Sequence, residues 1–336
     1  MSKRLVAPTG AAGLFSLRPR KADAHPDDIG YQITVSDGET VEQVHGGLAA
    51  PGRSVTDRTL FQAASCSKPV AALAAMTLVG DGRLDLDRPV NDYLTRWKLE
   101  GRGAPRATAA ALMSHTAGTS ISGFPGYPGG TPVPTLIQIL DGVKPANTDA
   151  VRADRLFCGR YRYSGGGSTV LQLLIAEISK QSFADYARTA VLEPLGVSAA
   201  TFDLEPAGEI ALGHRSDGRV VEGGFHRYPE SAAAGLWCRA VDLARIMAGI
   251  VAAVRGEKGA ILPVSLAKRM ISPVRRTAAL GVFSDRGRAI WHDGSNAGYR
   301  SLMTADVGTG CVIGAVSNSD AGMATITRRL KEIRDD

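Results

Sequence analysis

Residues 65–78 read Ser-Cys-Ser-Lys-Pro-Val-Ala-Ala-Leu-Ala-Ala-Met-Thr-Leu, and this segment constrains the fold most. It is rich in alanine and apolar all round, which indicates a helix buried on every side. Pro69 is compatible with that helix only if the helix starts within the preceding few residues, because the first four N–H groups of a helix have no internal partner. The segment therefore predicts a globular fold with a core large enough to enclose a helix.

Length and composition agree with such a core. A chain of 336 residues allows about two folding units, or one large unit with an insertion. With 44% apolar and 21% charged residues, the composition excludes disorder, collagen and coiled coil.

The charge pattern argues against nucleic acid as a partner. The formal net charge of +6 is modest for this length, and no tract of basic residues interleaved with aromatics follows the pattern of a nucleic-acid groove. The histidines and cysteines show no zinc spacing either, so we expect no metal and no cofactor.

The cysteines and the first residues bear on the compartment. Four cysteines lie far apart without a C-x-x-C pair, which is typical of free thiols in a reducing compartment. The amino terminus lacks the uninterrupted apolar run of a signal peptide, and no apolar stretch approaches the roughly 20 residues that span a bilayer. We therefore expect a cytoplasmic protein without a membrane partner. The cysteines are Cys66, Cys158, Cys238 and Cys311.

The order of the predicted elements indicates the fold class. Alternating apolar residues on either side of Asp37-Gly38 predict a β-hairpin, and short β-like runs return near the carboxyl end before a final helix. Between them the signals are mostly helical, with helices at 108–115, 170–178, 183–192 and 242–254. This order favours an α+β fold, in which an antiparallel sheet flanked by helices carries a helical insertion.

We expect three parts along the chain. Residues 1–28 have no periodicity and form a partly ordered lead-in. Residues 29–80 and 205–336 form the sheet domain, and residues 81–204 form a mostly helical domain. The two domains make one catalytic unit with a cleft between them.

Ser65 and Lys68 are the strongest candidates for chemistry. Three residues apart at the start of a helix, their side chains share a face, so the amine can reach the hydroxyl. A serine hydroxyl is a weak nucleophile until a base removes its proton. Lys68 can act as that base only if burial or another cation lowers its pKa. Taken alone, S-x-x-K also fits a helix start with a surface lysine.

Further segments decide between these interpretations. Together with 61–69, their text resembles the serine β-lactamase and penicillin-binding-protein superfamily, in particular the class C β-lactamase-like branch with its carboxylesterases and DD-peptidases. The resemblance implies the β-lactamase/transpeptidase-like fold over roughly residues 30 to 320. The matching segments are 61–69, 82–90, 112–118, 163–165, 192–196, 234–237 and 292–299.

The resemblance also implies roles for individual residues. Ser65 is the acylated nucleophile, Lys68 its partner in proton transfer, and Tyr163 shares the general-base role, with Tyr161 as a possible competitor. His292 and Gly294 belong to a third motif that lines the substrate cleft. The backbone N–H groups of Ser65 and Ser295 are the expected oxyanion hole.

Two departures from the family pattern weaken the β-lactamase and DD-peptidase readings. Gly165 stands where the second motif has asparagine, so no amide is present to hold an acylamide. His292 stands where lysine is common, which removes a permanent cation for a substrate carboxylate. Both changes are common in esterase and acyltransferase relatives.

Four further residues near these motifs have less specific interpretations. Phe124 and Tyr127 lie in a proline-rich loop, 124–134, that we expect either to contact substrate or to be a plain surface connection. His115 is interpreted as part of a structural helix end, although it is a conceivable base. Cys66 is interpreted as a packing residue beside the nucleophile.

The sequence therefore predicts an acyl-serine enzyme. It would cleave a small-molecule ester or amide and pass the acyl group to water or to an amine or alcohol acceptor, as an esterase or a biosynthetic transacylase of secondary metabolism. The alternatives are a β-lactamase or DD-peptidase, and a non-catalytic relative that binds a ligand.

Overall fold

The computed structural model describes residues 29–335, with side chains described as far as residue 333. The lead-in predicted for residues 1–28 lies outside the described residues. The strands are β1 (Tyr31–Ser36), β2 (Val41–Gly46), β3 (Leu48–Ala50), β4 (Arg53–Ser54), β5 (Phe61–Ala64), β6 (Leu236–Cys238), β7 (Phe283–Asp285), β8 (Ala289–Asn296), β9 (Tyr299–Asp306) and β10 (Val312–Ser317). The helices are α1 (Ser67–Gly80), α2 (Ala109–Met113), α3 (Leu136–Asp141), α4 (Gly165–Ser179), α5 (Phe183–Ala187), α6 (Ser231–Ala234), α7 (Ala240–Arg255), α8 (Val264–Ile271) and α9 (Gly322–Asp335).

Six strands form one antiparallel sheet in the order β2-β1-β10-β9-β8-β7. Strand β10 is buried on both faces, and its side chains alternate between them. Ile313 and Ala315 pack in one cluster with Ile326 of α9, whereas Val312 and Val316 join the main core that also contains α7. An antiparallel sheet with helices on both faces confirms the predicted α+β class.

The sheet is assembled from the two ends of the described chain. Its strands come from residues 31–46 and 283–317, and residues 81–204, all of them described, contain four helices and no strand longer than an isolated bridge. The predicted division into a sheet domain and a helical domain rests on this distribution and stays a prediction.

Helix α1 is enclosed as its composition predicts. Eleven of its 14 residues are buried, and the apolar ones from Val70 to Leu78 belong to the main core together with residues of α4, α6 and α7. The helix begins at Ser67, two residues later than predicted, so Pro69 occupies the third helical position, where no intrahelical N–H is required. Ser65 therefore lies just ahead of the helix and not within it.

Other boundaries differ by a few residues. Thr108 caps α2 by accepting a hydrogen bond from the N–H of Ala111, but the helix ends at Met113 and not near His115. Strand β8, one of the short β-like runs predicted near the carboxyl end, extends from Ala289 to Asn296 because its whole length pairs with β9. This extension places residues 292–295 on the strand that faces Ser65.

Candidate active site

Ser65 lies in the turn that joins β5 to α1 and is half-buried. Ala64, immediately before it, adopts the left-handed region with φ of 48°, which costs energy for a residue with a Cβ atom. The strand pair β5–β6 and the start of α1 hold this strained turn in place. The Ser65 hydroxyl is thereby presented at a fixed point beside the helix start.

Lys68 reaches the Ser65 hydroxyl, as the sequence predicted. Its Nζ atom lies 3.0 Å from the Oγ atom of Ser65 and donates a second hydrogen bond of 2.8 Å to the carbonyl oxygen of Ala233 in α6. Only 5% of the lysine is exposed. The side chain is therefore held at both sides by fixed acceptors.

Burial lowers the pKa of Lys68 to about 7. The removal of the ammonium group from water is the largest cause, and electrostatic interactions with Cys66 and Asp293 act in the opposite direction. A lysine with this pKa is substantially uncharged at neutral pH and can accept a proton. Lys68 can act as a base only if its pKa is lowered, and the burial of its side chain lowers it.

Tyr163 stands just before α4, on the far side of Lys68. The Nζ atom of Lys68 lies 4.9 Å from the centre of the Tyr163 ring. Burial raises the pKa of the Tyr163 phenol well above its usual range, and a hydrogen bond with Ser65 offsets part of that rise. The phenol is protonated at neutral pH, so it is a proton donor and relay in this arrangement.

His115 holds the backbone on both sides of Tyr163. Its carbonyl oxygen accepts a 2.9 Å hydrogen bond from the N–H of Arg162, and its Nδ1 atom accepts one of 3.2 Å from the N–H of Ser164. Its ring also lies against the Tyr163 ring, with centres 4.3 Å apart. To make these contacts His115 adopts a left-handed φ of 57°.

The contacts of His115 with the N–H groups of Arg162 and Ser164 and with the Tyr163 ring form a clamp. The clamp requires a neutral His115 ring, and the surroundings of the ring keep it neutral. Burial, followed by the charge of Lys68 and the ring of His292, lowers the pKa of His115 well below its usual range. Since Nδ1 accepts a hydrogen bond, the proton of the neutral ring is on Nε2. The local sequence indicates a helix end at His115 and carries no signal for this role, because Arg162 and Ser164 lie almost fifty residues away.

Strand β8 approaches Ser65 closely because position 294 is glycine. A Cβ atom there would lie 2.3 Å from the carbonyl oxygen of Ala63 and 2.3 Å from the Oγ atom of Ser301. Strand β8 can therefore pack directly against the end of β5. A larger residue at 294 would push β8 away from the nucleophile.

Ser295 is the next residue of β8 after Gly294, and the direction of its backbone N–H follows from the pairing of β8 with β9. Asn296 and Tyr299 flank a two-residue hairpin loop, so their backbones form a hydrogen-bonded pair. Because hydrogen-bonded and non-hydrogen-bonded pairs alternate along an antiparallel ladder, the next pair, Ser295 with Arg300, exchanges no backbone hydrogen bonds. The N–H of Ser295 accordingly points away from β9. Strand β7 pairs only with residues 289–291, so this N–H faces an open edge beside Ser65.

His292 is 2% exposed and points to the same face of β8 as Gly294. Its Nδ1–H donates a 2.7 Å hydrogen bond to the carbonyl oxygen of Asp293, which leaves Nε2 as an acceptor. Burial, with the charge of Lys68, lowers the pKa of His292 to about 3. The ring is therefore neutral and supplies no positive charge.

Phe124 lies over the start of α4. A Cβ atom at Gly165 would come within 3.0 Å of the Phe124 ring, and Phe124 also packs against Tyr228, Ala233 and Ala234. The ring therefore fills the space that a side chain at 165 would need, next to the acceptor of Lys68. This neighbourhood is apolar.

Tyr127 has a different position in the same loop. It is 3% exposed, its backbone pairs with Arg227 in both directions, and its hydroxyl accepts a hydrogen bond from the N–H of Asn147. These contacts anchor the loop. The predicted contact of Tyr127 with substrate has no support from this position.

Cys66 is fully buried behind the nucleophile. Its Sγ atom accepts a hydrogen bond from Ser301 and donates one to the carbonyl oxygen of His292. Burial raises the pKa of the thiol to about 12, so it carries no nucleophilic thiolate at neutral pH. Among residues 29–335, no group of three or more His, Cys, Asp or Glu side chains is arranged to hold a metal ion.

The fold and this constellation define a protein class. The profile of the Beta-lactamase family matches residues 25–335. The chain therefore belongs to the Beta-lactamase family, and the predicted family is confirmed.

Individual relatives cover the chain to different extents. Esterase EstB of Burkholderia gladioli is 38% identical over 90 residues, which are 26% of this chain and 23% of EstB. Putative penicillin-binding protein PbpX of Bacillus subtilis is 26% identical over 212 residues, 60% of this chain and 49% of PbpX. The chain thus spans between a quarter and a half of the length of these two relatives.

A solved structure matches over nearly the whole chain. D-amino acid amidase from Ochrobactrum anthropi SV3, complexed with D-phenylalanine, superposes with a TM-score of 0.71 at 20% identity, covering 92% of this chain and 94% of that one. The similarity confirms the β-lactamase/transpeptidase-like fold. Within the described part of the chain, no helix combines the length and hydropathy needed to cross a membrane.

Proposed function

We propose that this chain is an acyl-serine enzyme of the class C β-lactamase-like type, which cleaves an ester or amide of a small molecule. The observation that carries the proposal is the 3.0 Å contact between Lys68 Nζ and Ser65 Oγ, made by a buried lysine whose pKa is about 7. A base that is half-deprotonated at neutral pH, in contact with a hydroxyl, is what activation of a serine requires.

In the first half-reaction the neutral Lys68 takes the proton of Ser65 while Oγ bonds to the substrate carbonyl carbon. The carbonyl electron pair moves onto oxygen, where the N–H groups of Ser65 and Ser295 are the proposed donors. When the bond to the leaving group breaks, Tyr163 gives that group a proton and regains one from the Lys68 ammonium. Lys68 is assigned as the base because the raised pKa of Tyr163 keeps the phenol protonated.

In the second half-reaction an acceptor attacks the acyl-Ser65 carbonyl. Water gives hydrolysis, and an amine or alcohol gives transfer. Lys68 takes the proton of the acceptor, and Ser65 leaves as a hydroxyl after receiving that proton. Both outcomes use the same residues, so the proposal covers an esterase and a biosynthetic transacylase acting in secondary metabolism.

The surroundings of Ser65 favour these outcomes over action on β-lactams or cell-wall peptides. His292 is neutral, and Phe124 closes the space beside Gly165 with an apolar ring. Such a cleft suits a substrate without a carboxylate better than an acylamide that carries one. The free thiols of the described chain support a cytoplasmic setting.

The test is intact-mass analysis with p-nitrophenyl butyrate and with a chromogenic cephalosporin, each with and without butylamine. We expect a butyryl adduct of the wild type that is absent from Ser65→Ala, and discharge that butylamine accelerates if transfer dominates. Rapid turnover of the cephalosporin would overturn the esterase or transacylase assignment. Absence of any adduct on a folded protein would support a ligand-binding relative.

A further inference from the structure

Asp293 presents an unpaired carboxylate next to the proposed nucleophile. It lies on β8 between His292 and Gly294, is partly exposed, and acts electrostatically on Lys68, Tyr161 and Tyr163. Within residues 29–335 no other side chain donates a hydrogen bond to its carboxylate, and no lysine or arginine forms an ion pair with it. Apart from the backbone N–H of its own residue, this carboxylate has no partner in the described chain that would explain its position.

The basic side chains nearest to Asp293 along these elements, Lys68 and Arg300, are engaged with other groups. Lys68 directs its amine to Ser65 and Ala233, so it does not neutralise Asp293 by direct contact. Arg300 pairs with Ser295, two residues beyond Asp293 on β8. Its guanidinium group donates hydrogen bonds to Asp320 and to two backbone carbonyl oxygens. A partly desolvated carboxylate without a counter-ion lowers its free energy by binding a cation.

An aromatic wall stands on the same side of the strand. Trp291 shares the Asp293 face of β8 because side chains alternate, and Phe283 of β7 pairs with Trp291 and stacks on it at 6.0 Å. Tyr161, 39% exposed, continues the wall with its ring 6.4 Å from that of Phe283. Aromatic faces attract ammonium groups and carry no preference for carboxylates.

We infer that Asp293 and the wall of Tyr161, Phe283 and Trp291 select a substrate that carries a cationic nitrogen, and disfavour substrates with a carboxylate. The inference rests on the proposed function, since the cationic group would be part of the ester or amide attacked by Ser65. Asp293 acts on substrate binding, and it takes no part in the transfer of protons.

The kinetic test compares two esters of nearly the same shape, acetylcholine with a permanent positive charge and 3,3-dimethylbutyl acetate without charge. A second pair places the charge on the acyl side, with the methyl esters of alanine and of isobutyric acid. In at least one pair we expect the wild type to prefer the cationic ester by about tenfold in kcat/KM, mainly through KM. In Asp293→Asn the ratio should fall to near one, and Asp293→Glu should restore part of it.

Asp285→Asn is the matched control. Asp285 lies on the neighbouring strand and is paired with Arg288, so its removal changes the net charge equally without emptying the proposed cation site. A ratio near one in the wild type for both pairs, or a preference that Asp293→Asn retains, would overturn the inference. An equal loss in Asp285→Asn would attribute the preference to net charge and would also overturn it.

A binding measurement separates this inference from the proposed function. Titration calorimetry with phenyltrimethylammonium and with benzenesulfonate needs no turnover. The wild type should bind the cation at least tenfold more tightly than the anion, and Asp293→Asn should lose that difference. If Ser65 is never acylated but the cation binds through Asp293, the acyl-serine function fails and the charge selection stands. If Ser65 is acylated and the cation does not bind, the reverse holds.

Discussion

The amine of Lys68 lies 3.0 Å from the hydroxyl of Ser65, although the lysine is almost fully buried. The same burial that brings the two groups together lowers the pKa of Lys68 to about 7. The chain thus forms a base by placing a lysine at the start of an apolar helix and giving it two neutral acceptors. The predictions below follow from this relationship and from the residues that hold it.

The rate of acylation should follow the ionisation of Lys68. Because the base must be neutral, kcat/KM for a neutral ester should rise about tenfold per pH unit below pH 7 and level off above it. The measurement is a pH profile between pH 5 and 9 with an uncharged substrate. A flat profile, or an inflection near pH 10, would show that Lys68 is not the base or that its pKa is not lowered.

Replacement of Lys68 by methionine should abolish acylation and raise thermal stability. The pKa of the lysine is lower in the folded than in the unfolded protein, so the unfolded state binds more protons between about pH 7 and 10.5. The free energy of unfolding of the wild type should therefore rise with pH between about pH 7 and 10.5. Below about pH 7 the buried lysine is charged, so the full free-energy cost of its burial destabilises the folded protein.

Lys68→Met removes this penalty. Its Tm should exceed that of the wild type at pH 7, by roughly 1–2 °C for each kcal/mol gained in a chain of this length, and the difference should shrink towards pH 10. Calorimetric melting at the two pH values is the measurement. A variant less stable than the wild type at pH 7 would contradict the account of Lys68 as a desolvated base.

His115 should matter through the position of Tyr163. Asparagine tolerates a left-handed φ and can offer an oxygen to the N–H of Ser164, so His115→Asn should keep much of kcat. His115→Phe keeps a ring but has no acceptor and fits this φ poorly. Since Tyr163 would be displaced and not removed, we expect kcat to fall by about 10- to 100-fold, less than the roughly 10²- to 10⁴-fold contribution of a general acid, with little change in KM.

A purely structural role for His115 would affect the two variants through stability alone. Melting curves and pH profiles of both variants are therefore the companion measurement. Equal kcat values in His115→Asn and His115→Phe, at equal stability, would exclude the clamp.

Gly294→Ala should separate β8 from Ser65. The new Cβ would meet the carbonyl oxygen of Ala63, which belongs to the backbone of β5 and cannot move aside cheaply. We expect kcat/KM to fall by at least 10²-fold, in the range measured for loss of an oxyanion donor. Gly308→Ala is the matched control, since a Cβ there would make only one close contact, at 3.3 Å, with the Asp306 side chain. Unchanged kinetics in Gly294→Ala would contradict the proposed role of Ser295.

The sequence predicted the buried helix, the first hairpin and the order of the elements, because each depends on local periodicity. It missed β5, which is only four residues long and buried throughout, so no alternation marks it. It also missed α3, although Thr135 and Gln138 form a capping box that was a readable signal.

The candidate site was predictable where its residues lie close together in the chain. Ser65 and Lys68 are three residues apart, and the structure brings them into contact. The clamp of His115 on Tyr163 and the acceptor at Ala233 depend on tertiary packing between distant segments, which no short pattern encodes. Asp293 was visible in its motif, but its lack of a counter-ion becomes evident only when its neighbours are known.

Labelling of Ser65 tests the central claim most directly. The folded protein is treated with a fluorophosphonate at pH 8, and the modified peptide is located by mass spectrometry in the wild type, Ser65→Ala, Lys68→Met and Cys66→Ala. The account predicts one adduct on Ser65 in the wild type and in Cys66→Ala, none in Ser65→Ala, and labelling slowed by about 10²- to 10⁴-fold in Lys68→Met. An adduct on another residue, or labelling of Ser65 that is as fast without Lys68 as with it, would contradict the account.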